Sequence, residues 1–353
     1  MKRLSYKIIS LIVITLLIGE AEAKKRDEVE RKRAINKSYN VSPQHILDIT
    51  NKFGRVHVNT GAKKEFDVKI EIIARGRNEE RAQQVLDQIE VKIVEAANLI
   101  RFETELKGNI DNKKSETFEI NYLVNMPPSN TLNLKNSFGE TYLADFSGDL
   151  DLDVSYGDIK LGSLTGDSNV EISFSDGEID EVRKGRLTIK YSDVDVKRTG
   201  DVKMQQGYSD VSIESAGNLQ IDTKYSDLKI GQLDVVTGNL DYSDFSLGQL
   251  MVSMEMETSY SGGFRVEQVA KNFKKINLEG KFGSFRLGFE EGVSCNFETK
   301  LKFCDMNYSG LDVDLSYKMK EDFRNEYRGK IGKGSGGVIS IVSSYGDVKL
   351  FKN

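Results

Sequence analysis

The sequence is poor in several residue types that common functional sites require. It has no tryptophan, three prolines, two cysteines and two histidines among 353 residues. Two histidines cannot build a multi-histidine zinc site, and two cysteines fall short of the four ligands of a structural zinc site. The formal charge is −5 and the only basic cluster is short, which argues against nucleic-acid binding.

The residues that are abundant are those of strands and turns. Hydrophobic residues make up 38% of the chain, charged residues 30%, and there are 31 glycines. This composition can bury a core, so the bulk of the chain is neither disordered nor a multi-span membrane protein. The length is typical of two domains or of one long repeat array.

Residues 1–23 have the pattern of a secretory signal peptide. Lys2, Arg3 and Lys7 are followed by an apolar stretch over 8–19 and by Ala21-Glu22-Ala23, a small-x-small cleavage pattern. A retained membrane anchor is the alternative, but this run is shorter than the roughly 20 residues that a spanning helix needs. We therefore expect export to the periplasm, the cell surface or the medium, with no membrane span left after cleavage.

Four further segments follow the signal peptide. Residues 24–40 are charged and predict a flexible lead-in, with a basic arm for an anionic membrane surface as the alternative. Residues 41–130 alternate apolar and polar side chains and predict strands, interrupted by a helix at about 78–89 that Asn78 would cap. Residues 131–262 carry a regular repeat, and 263–353 predict irregular coils and a cap.

The repeat is an aromatic residue, then Gly or Ser, then usually Asp. The aromatic residues are spaced 18, 18, 17, 17, 17, 17 and 18 apart. The eight copies begin at Phe138, Tyr156, Phe174, Tyr191, Tyr208, Tyr225, Tyr242 and Tyr260. Two short strands and two turns per 17–18 residues predict one coil of a parallel β-solenoid, an all-β fold, with Val194 and Val196 facing the core and Asp195 facing outward. A β-sandwich is the competing fold, but its strands need not share one constant motif.

The order of these motifs resembles the bacterial putative-adhesin family, a family of exported β-strand-repeat proteins with a single-stranded β-helix and no assigned activity. The resemblance covers about residues 40–353. It is carried by Phe53-Gly54-Arg55 near the start, the helix at about 78–89, the Val124-Asn125-Met126-Pro127 step, and Gly346-Asp347-Val348 near the end. It implies an interaction protein of the cell envelope and supplies no catalytic residues.

Two side-chain ladders are the candidate sites. The carboxylates of the repeat could bind Ca²⁺, although aspartate in such turns ordinarily caps backbone amides. They are Asp158, Asp176, Asp193, Asp210, Asp227 and Asp244. The repeat tyrosines could form a platform for sugar rings, or could stack only to stabilise the coils. They are Tyr191, Tyr208, Tyr225 and Tyr242.

No catalytic residue is indicated, and we expect a binding protein that needs no cofactor. A carbohydrate-active β-helix enzyme is one alternative, and a structural or stress component that binds another envelope protein is the other. A glycan or an envelope protein is the expected partner, and the sequence does not define the oligomeric state. Cys295 and Cys304 could be bridged or free, because their spacing permits either.

The turn interpretation of the aspartates predicts that Ca²⁺ does not stabilise the protein. A ligand that binds only the native state raises the apparent stability, so a loaded calcium ladder would raise the melting temperature. We expect equal melting temperatures in excess Ca²⁺ and in excess chelator, measured by circular dichroism. A higher melting temperature in Ca²⁺ would show that the aspartates bind the ion.

Overall fold

The computed structural model describes residues 28–108 and 116–353, so the predicted signal peptide lies outside the described residues. Within these residues the chain is almost entirely β, and α1 (Glu79–Asp87) is the one helix. The strands are β1 (Val29–Asn40), β2 (Ile46–Lys52), β3 (Val56–Thr60), β4 (Glu65–Gly76), β5 (Ile89–Ala96), β6 (Leu99–Leu106), β7 (Thr117–Met126), β8 (Thr131–Ser137), β9 (Thr141–Leu143), β10 (Leu150–Ser155), β11 (Ile159–Ser173), β12 (Gly177–Lys190), β13 (Asp193–Gly207), β14 (Asp210–Lys224), β15 (Asp227–Asp241), β16 (Asp244–Ser259), β17 (Phe264–Val269), β18 (Lys275–Lys281), β19 (Phe285–Phe289), β20 (Cys295–Lys302), β21 (Met306–Ser309), β22 (Val313–Lys320), β23 (Arg324–Ile331), β24 (Gly337–Ser344) and β25 (Val348–Lys352).

The predicted parallel β-solenoid is confirmed. Strand β13 pairs in parallel with β12 on one side and β14 on the other, and Val194 faces Gly177 and Val211 at a constant offset of one repeat. Val194 and Val196 are buried while Asp195 is exposed, as the alternation predicts. Because every coil repeats this pattern, the aliphatic side chains stack into one continuous core.

Each coil contributes to two sheets. The first halves of β11–β16 pair with one another and continue into β3, β7 and β9 at one end and β17, β19, β25 and β21 at the other; we call this the back sheet. The second halves continue into β10, β8, β2 and β6, and into β18, β24 and β20; we call this the front sheet. The turn from the front sheet to the back sheet carries the aromatic-Gly/Ser-Asp motif.

The coils at both ends are stacked out of chain order. At the start, β2 and β3 form a coil that lies between the outermost coil, made by β6 and β7, and the coil of β8 and β9. At the end, β24 and β25 lie between β18/β19 and the outermost strands β20 and β21. Each outermost coil is therefore held against a coil that is distant from it in sequence. The array extends beyond the predicted limits of 131–262 in both directions.

Antiparallel strands cover most of the outermost coils. At the first end β5 pairs with β6, while β4 pairs with β7 and with β1. At the other end β23 pairs with β20 and with β22. These strands shield the backbone edges that would otherwise be open to another chain.

Helix α1 forms as predicted and packs at the first end. The side chain of Asn78 accepts a hydrogen bond from the Arg81 amide at 2.9 Å, which caps the helix. Ala82, Val85 and Leu86 are buried against β1 and β4. The helix thus covers apolar surface at this end of the core.

The prediction of a flexible lead-in over 24–40 is wrong from residue 29 onward. Strand β1 pairs with β4 over twelve residues. Its charged side chains, such as Arg31 and Lys32, are exposed or half-exposed, which suits an edge strand. A high content of charged residues is therefore not sufficient to predict that a segment is unstructured.

Both cysteines are free. Cys295 is buried at the start of β20, and burial raises the pKa of its thiol to about 12. Cys304 lies beyond the other end of the same strand, where its Sγ donates a weak hydrogen bond to the Lys302 carbonyl at 3.4 Å. An extended strand separates the two thiols, so the bridged alternative does not occur in this structure.

Coil spacing predicts that Gly139 cannot be replaced. A Cβ added at Gly139 would lie 2.0 Å from the backbone oxygen of Gly54 in the next coil. We expect Gly139→Ala to lower the free energy of unfolding by about 1–3 kcal/mol in urea denaturation, because the coils would have to separate. At Gly207 a Cβ would meet nothing within 4 Å, so Gly207→Ala should unfold like the wild type or slightly later. Equal destabilisation by both variants would contradict this explanation.

Candidate functional site: the aromatic ladder and its groove

The aromatic residue of every turn has a strained backbone. Among residues 28–108 and 116–353, twelve non-glycine residues have φ between 51° and 63°, the left-handed region, and all twelve are Phe or Tyr at this turn. They are Phe53, Phe138, Tyr156, Phe174, Tyr191, Tyr208, Tyr225, Tyr242, Tyr260, Phe282, Phe303 and Tyr345. This conformation costs an ordinary L-residue about 1–2 kcal/mol, whereas glycine adopts it freely. The turn would thus be easier to form without a ring.

The twelve rings form one continuous stack, which we call the aromatic ladder. Successive ring centroids are 4.7–5.1 Å apart and the ring planes differ by 3–10°. Phe118 packs edge-on against Phe53 at one end, and Phe323 packs at 52° against Phe303 at the other. With one ring per strand spacing of about 4.8 Å, the ladder is roughly 50 Å long.

In the coils from Phe174 to Tyr260, a buried serine follows each ring. The Ser192 hydroxyl donates to the Lys190 carbonyl at 2.8 Å and accepts from the Ser175 amide of the preceding coil at 3.0 Å. Ser209 and Ser226 repeat the arrangement. The serine of the motif is therefore structural, since it ties its own turn to its neighbour.

The ladder leaves a large apolar surface open. Eleven of its residues are 44–54% exposed, and Phe53 is less so because Phe118 covers it. A buried aromatic side chain removes about 150–250 Å² from solvent, so the half-exposed ladder presents on the order of 1,000 Å². The largest apolar patch on a typical monomer is about 300–600 Å². A continuous patch of this size is typical of an interaction surface.

The ring faces are not available to a ligand. Each face inside the ladder lies against the next ring, so only ring edges reach solvent. The hypothesis that Tyr191, Tyr208, Tyr225 and Tyr242 offer flat faces to sugar rings does not fit this geometry. A ligand would contact the edges and the polar groups beside them.

A groove of about 430 Å³ runs beside the ladder on the front sheet. Three ladder tyrosines and residues of β12, β13 and β14 line this groove. The lining residues are Lys190, Tyr191, Gln205, Gln206, Gly207, Tyr208, Asp222, Lys224 and Tyr225. The groove combines apolar ring edges with charged and amide groups, which is the make-up of a site for a polar ligand.

The predicted aspartates lie on the other side of the ladder, at the start of the back sheet, and we call them the aspartate row. All six are exposed. Asp176 accepts the Asp193 amide at 3.2 Å and Asp244 accepts the Gly263 amide at 2.9 Å, as turn-capping carboxylates do. Partial burial, and then the neighbouring Asp210 and Asp244, raise the pKa of Asp227. Across residues 28–108 and 116–353, no group of three or more His, Cys, Asp or Glu side chains is placed to hold a metal ion.

The repeat predicted eight of the twelve rings, and the structure adds four. Phe282 and Tyr345 carry the motif at irregular intervals, while Phe53 and Phe303 lie outside the regular series. Phe53-Gly54 retains the first two motif positions, and Phe303 is followed two residues later by Asp305. The four additional rings could therefore have been found by searching for the motif without requiring a constant spacing.

Solved structures of similar proteins are named as adhesion proteins and, in one case, as a lipid binding protein. The chain is similar to a putative cell adhesion protein from Clostridium sporogenes, with 11% identity, a TM-score of 0.20, and coverage of 92% of this chain and 100% of the other. It is similar to a putative adhesin from Bacteroides fragilis, with 11% identity, a TM-score of 0.28, and coverage of 91% and 97%. A putative lipid binding protein from Parabacteroides distasonis has 8% identity, a TM-score of 0.27, and coverage of 91% and 96%.

No family model matches the chain, and no curated protein matches it. At such low identities and TM-scores, the fold and the site rest on the strand pairing and ring geometry of this chain. In the described part of the chain, no helix is both long and apolar enough to cross a membrane.

The strained turn predicts that substitutions of Tyr208 depend on backbone preference as well as on the lost ring. Tyr208→Asn removes two stacking contacts worth about 0.5–1.5 kcal/mol each, but asparagine tolerates a positive φ. We expect a loss of about 1 kcal/mol in urea denaturation. Tyr208→Val also removes the ring and places a β-branched residue at positive φ. Its free energy of unfolding should therefore fall by about a further 1–2 kcal/mol. Equal losses would show that the turn is not strained.

Proposed function

We propose that the chain is an exported, non-enzymatic binding protein of the bacterial cell envelope, adhesin-like in function, which presents the aromatic ladder and its groove to an extended ligand. The observation that carries the proposal is a continuous ladder of half-exposed rings held in a strained backbone. The names of the similar structures and the predicted signal peptide are consistent with this function.

The energetics of the turn support a role beyond stability. One stacking contact is worth about 0.5–1.5 kcal/mol. This roughly offsets the backbone strain at the same residue, which costs about 1–2 kcal/mol. Glycine would form the turn without strain, and the serines already link adjacent coils. The rings therefore add little net stability while exposing an apolar patch that is unfavourable in water. Ligand binding explains why such a surface is present.

The shape of the ladder indicates the class of ligand. The rings follow a line of roughly 50 Å, so a long polymer contacts many of them while a small molecule contacts only a few. The groove beside three of the tyrosines offers amide, ammonium and carboxylate groups that suit hydroxyl-rich ligands. We therefore choose a glycan strand as the first ligand to test.

The test compares glycan binding by residues 24–353 and by a ladder variant. The variant Tyr208→Asn/Tyr225→Asn/Tyr242→Asn removes three adjacent rings and keeps a residue that tolerates the turn. On a glycan array, we expect saturable binding by the wild type and at least tenfold weaker binding by the variant, a loss of about 1.4 kcal/mol or more.

The matched control is Tyr308→Asn/Tyr317→Asn, which removes two exposed tyrosines outside the ladder. It should bind like the wild type, and thermal unfolding should show that both variants are folded. Equal binding by the ladder variant would contradict a role for the rings. If no glycan binds, and one envelope protein co-purifies in stoichiometric amounts with the wild type but not with the ladder variant, the ligand is a protein and not a glycan.

A further inference from the structure

The groove contains a notch that breaks the repeat. The residue before each ring lies in register along the front sheet, and in three successive coils these residues are Lys190, Gly207 and Lys224. Gly207 has open space where its side chain would be, since an added Cβ meets no atom within 4 Å. Two lysines therefore flank a gap one coil wide, with Tyr208 beside it.

The charges around the notch favour an anion. Lys224 has no carboxylate within ion-pair distance in the described residues (28–108 and 116–353), and Lys190 has only Glu171, at 3.5 Å. Asp222 is the single carboxylate among the residues that line the groove, and Asp241, which is in register with Lys224 on the next coil, lies outside that lining. The aspartate row lies across the ladder, so it repels an anion from that side and leaves the groove as the open side. In a chain with a net charge of −5, this pair of lysines is a local exception.

The spacing of the lysines suits one anionic group. The lysines are two strand spacings apart, about 10 Å, and a lysine side chain spans roughly half of that distance. Both ammonium groups can then approach a carboxylate that lies over Gly207, and each such contact is a charge-assisted hydrogen bond. Asp222 and Gln205, which line the same groove, supply an acceptor and an amide for neighbouring hydroxyl groups.

We infer that the groove binds a glycan containing carboxylated sugars, with one carboxylate over Gly207 between Lys190 and Lys224. This inference rests on the proposed function and specifies its ligand class. The ladder contacts the length of the polymer, and the notch selects for negative charge. The repeat thus supplies reach, and the interruption at Gly207 supplies specificity.

The experiment measures binding of two probes by calorimetry, hexagalacturonate as the acidic glycan and cellohexaose as the neutral one. The wild type should bind hexagalacturonate at least tenfold more tightly than cellohexaose. Added salt should lower the affinity for hexagalacturonate and leave the affinity for cellohexaose unchanged. Lys224→Gln keeps most of the side-chain length and removes the charge, so it should weaken hexagalacturonate binding at least tenfold. Gly207→Gln fills the notch and should do the same.

The matched control is Lys203→Gln, which makes the same charge change at an exposed position of β13 outside the groove lining. It should bind hexagalacturonate like the wild type. Gly207→Gln should remain folded, because the equivalent positions in adjacent coils carry lysine, and thermal unfolding checks this.

Each result separates the inference from the proposed function. Equal affinity for both probes, or no effect of Lys224→Gln, overturns the inference, while loss of binding in the three-tyrosine variant would still support the ladder. If neither probe binds but neutral glycans on the array do, the notch does not select carboxylated sugars and the inference is wrong. If another carboxylated glycan on the array binds instead, unchanged binding of that glycan by Lys224→Gln overturns the inference. If no glycan binds at all, both proposals fail for glycans.

Discussion

The hydrogen-bonded register between coils is the constraint on which the structure depends. Every coil of the regular array repeats after 17–18 residues, so each ring amide donates to the carbonyl that precedes the next ring, as from Tyr208 to Lys224 at 3.1 Å. Strand spacing then fixes the ring centroids at 4.7–5.1 Å. Parallel rings at this distance cannot sit directly face to face in contact, so they adopt the offset stacking that aromatic pairs prefer. The ladder is thus a consequence of strand pairing.

The same spacing determines what can follow each ring. At Gly139 and Gly157 the backbones of adjacent coils approach so closely that a Cβ would lie 2.0–2.2 Å from a carbonyl oxygen. In the coils from Phe174 to Tyr242 the position is serine, whose hydroxyl accepts a hydrogen bond from the amide of the preceding turn, as Ser192 does from Ser175 and Ser209 from Ser192. Glycine and serine are therefore two solutions to one problem, how to pack a turn against its copy without leaving a buried amide unpaired. The motif that looked loosely defined in sequence has a single physical cause.

The sequence predicted the features that recur and missed those that depend on contacts between distant segments. The period located eight rings, and the alternation around Val194 and Val196 placed the core correctly. The stacking order of the end coils could not be predicted, because β2 and β24 each lie between two coils that are distant from them in sequence. Local periodicity carries no information about such pairing. Strand β1 was hidden by its charge, since an edge strand with exposed lysines resembles a solvated segment. The groove was missed because the sequence does not show on which side of the turn the tyrosine rings lie, and the groove is formed where they lie beside residues of β12, β13 and β14.

A periodic surface by itself discriminates poorly among ligands. Every rung of the ladder offers almost the same edge, so a polymer could slide along it by one coil with little change in contact energy. Position and selectivity must come from places where one coil differs from the next. In the most regular stretch such a place is the row Lys190-Gly207-Lys224, where a missing side chain leaves space and the flanking ammonium groups supply charge. A repeat protein can in this way obtain affinity from its uniformity and specificity from one departure from it.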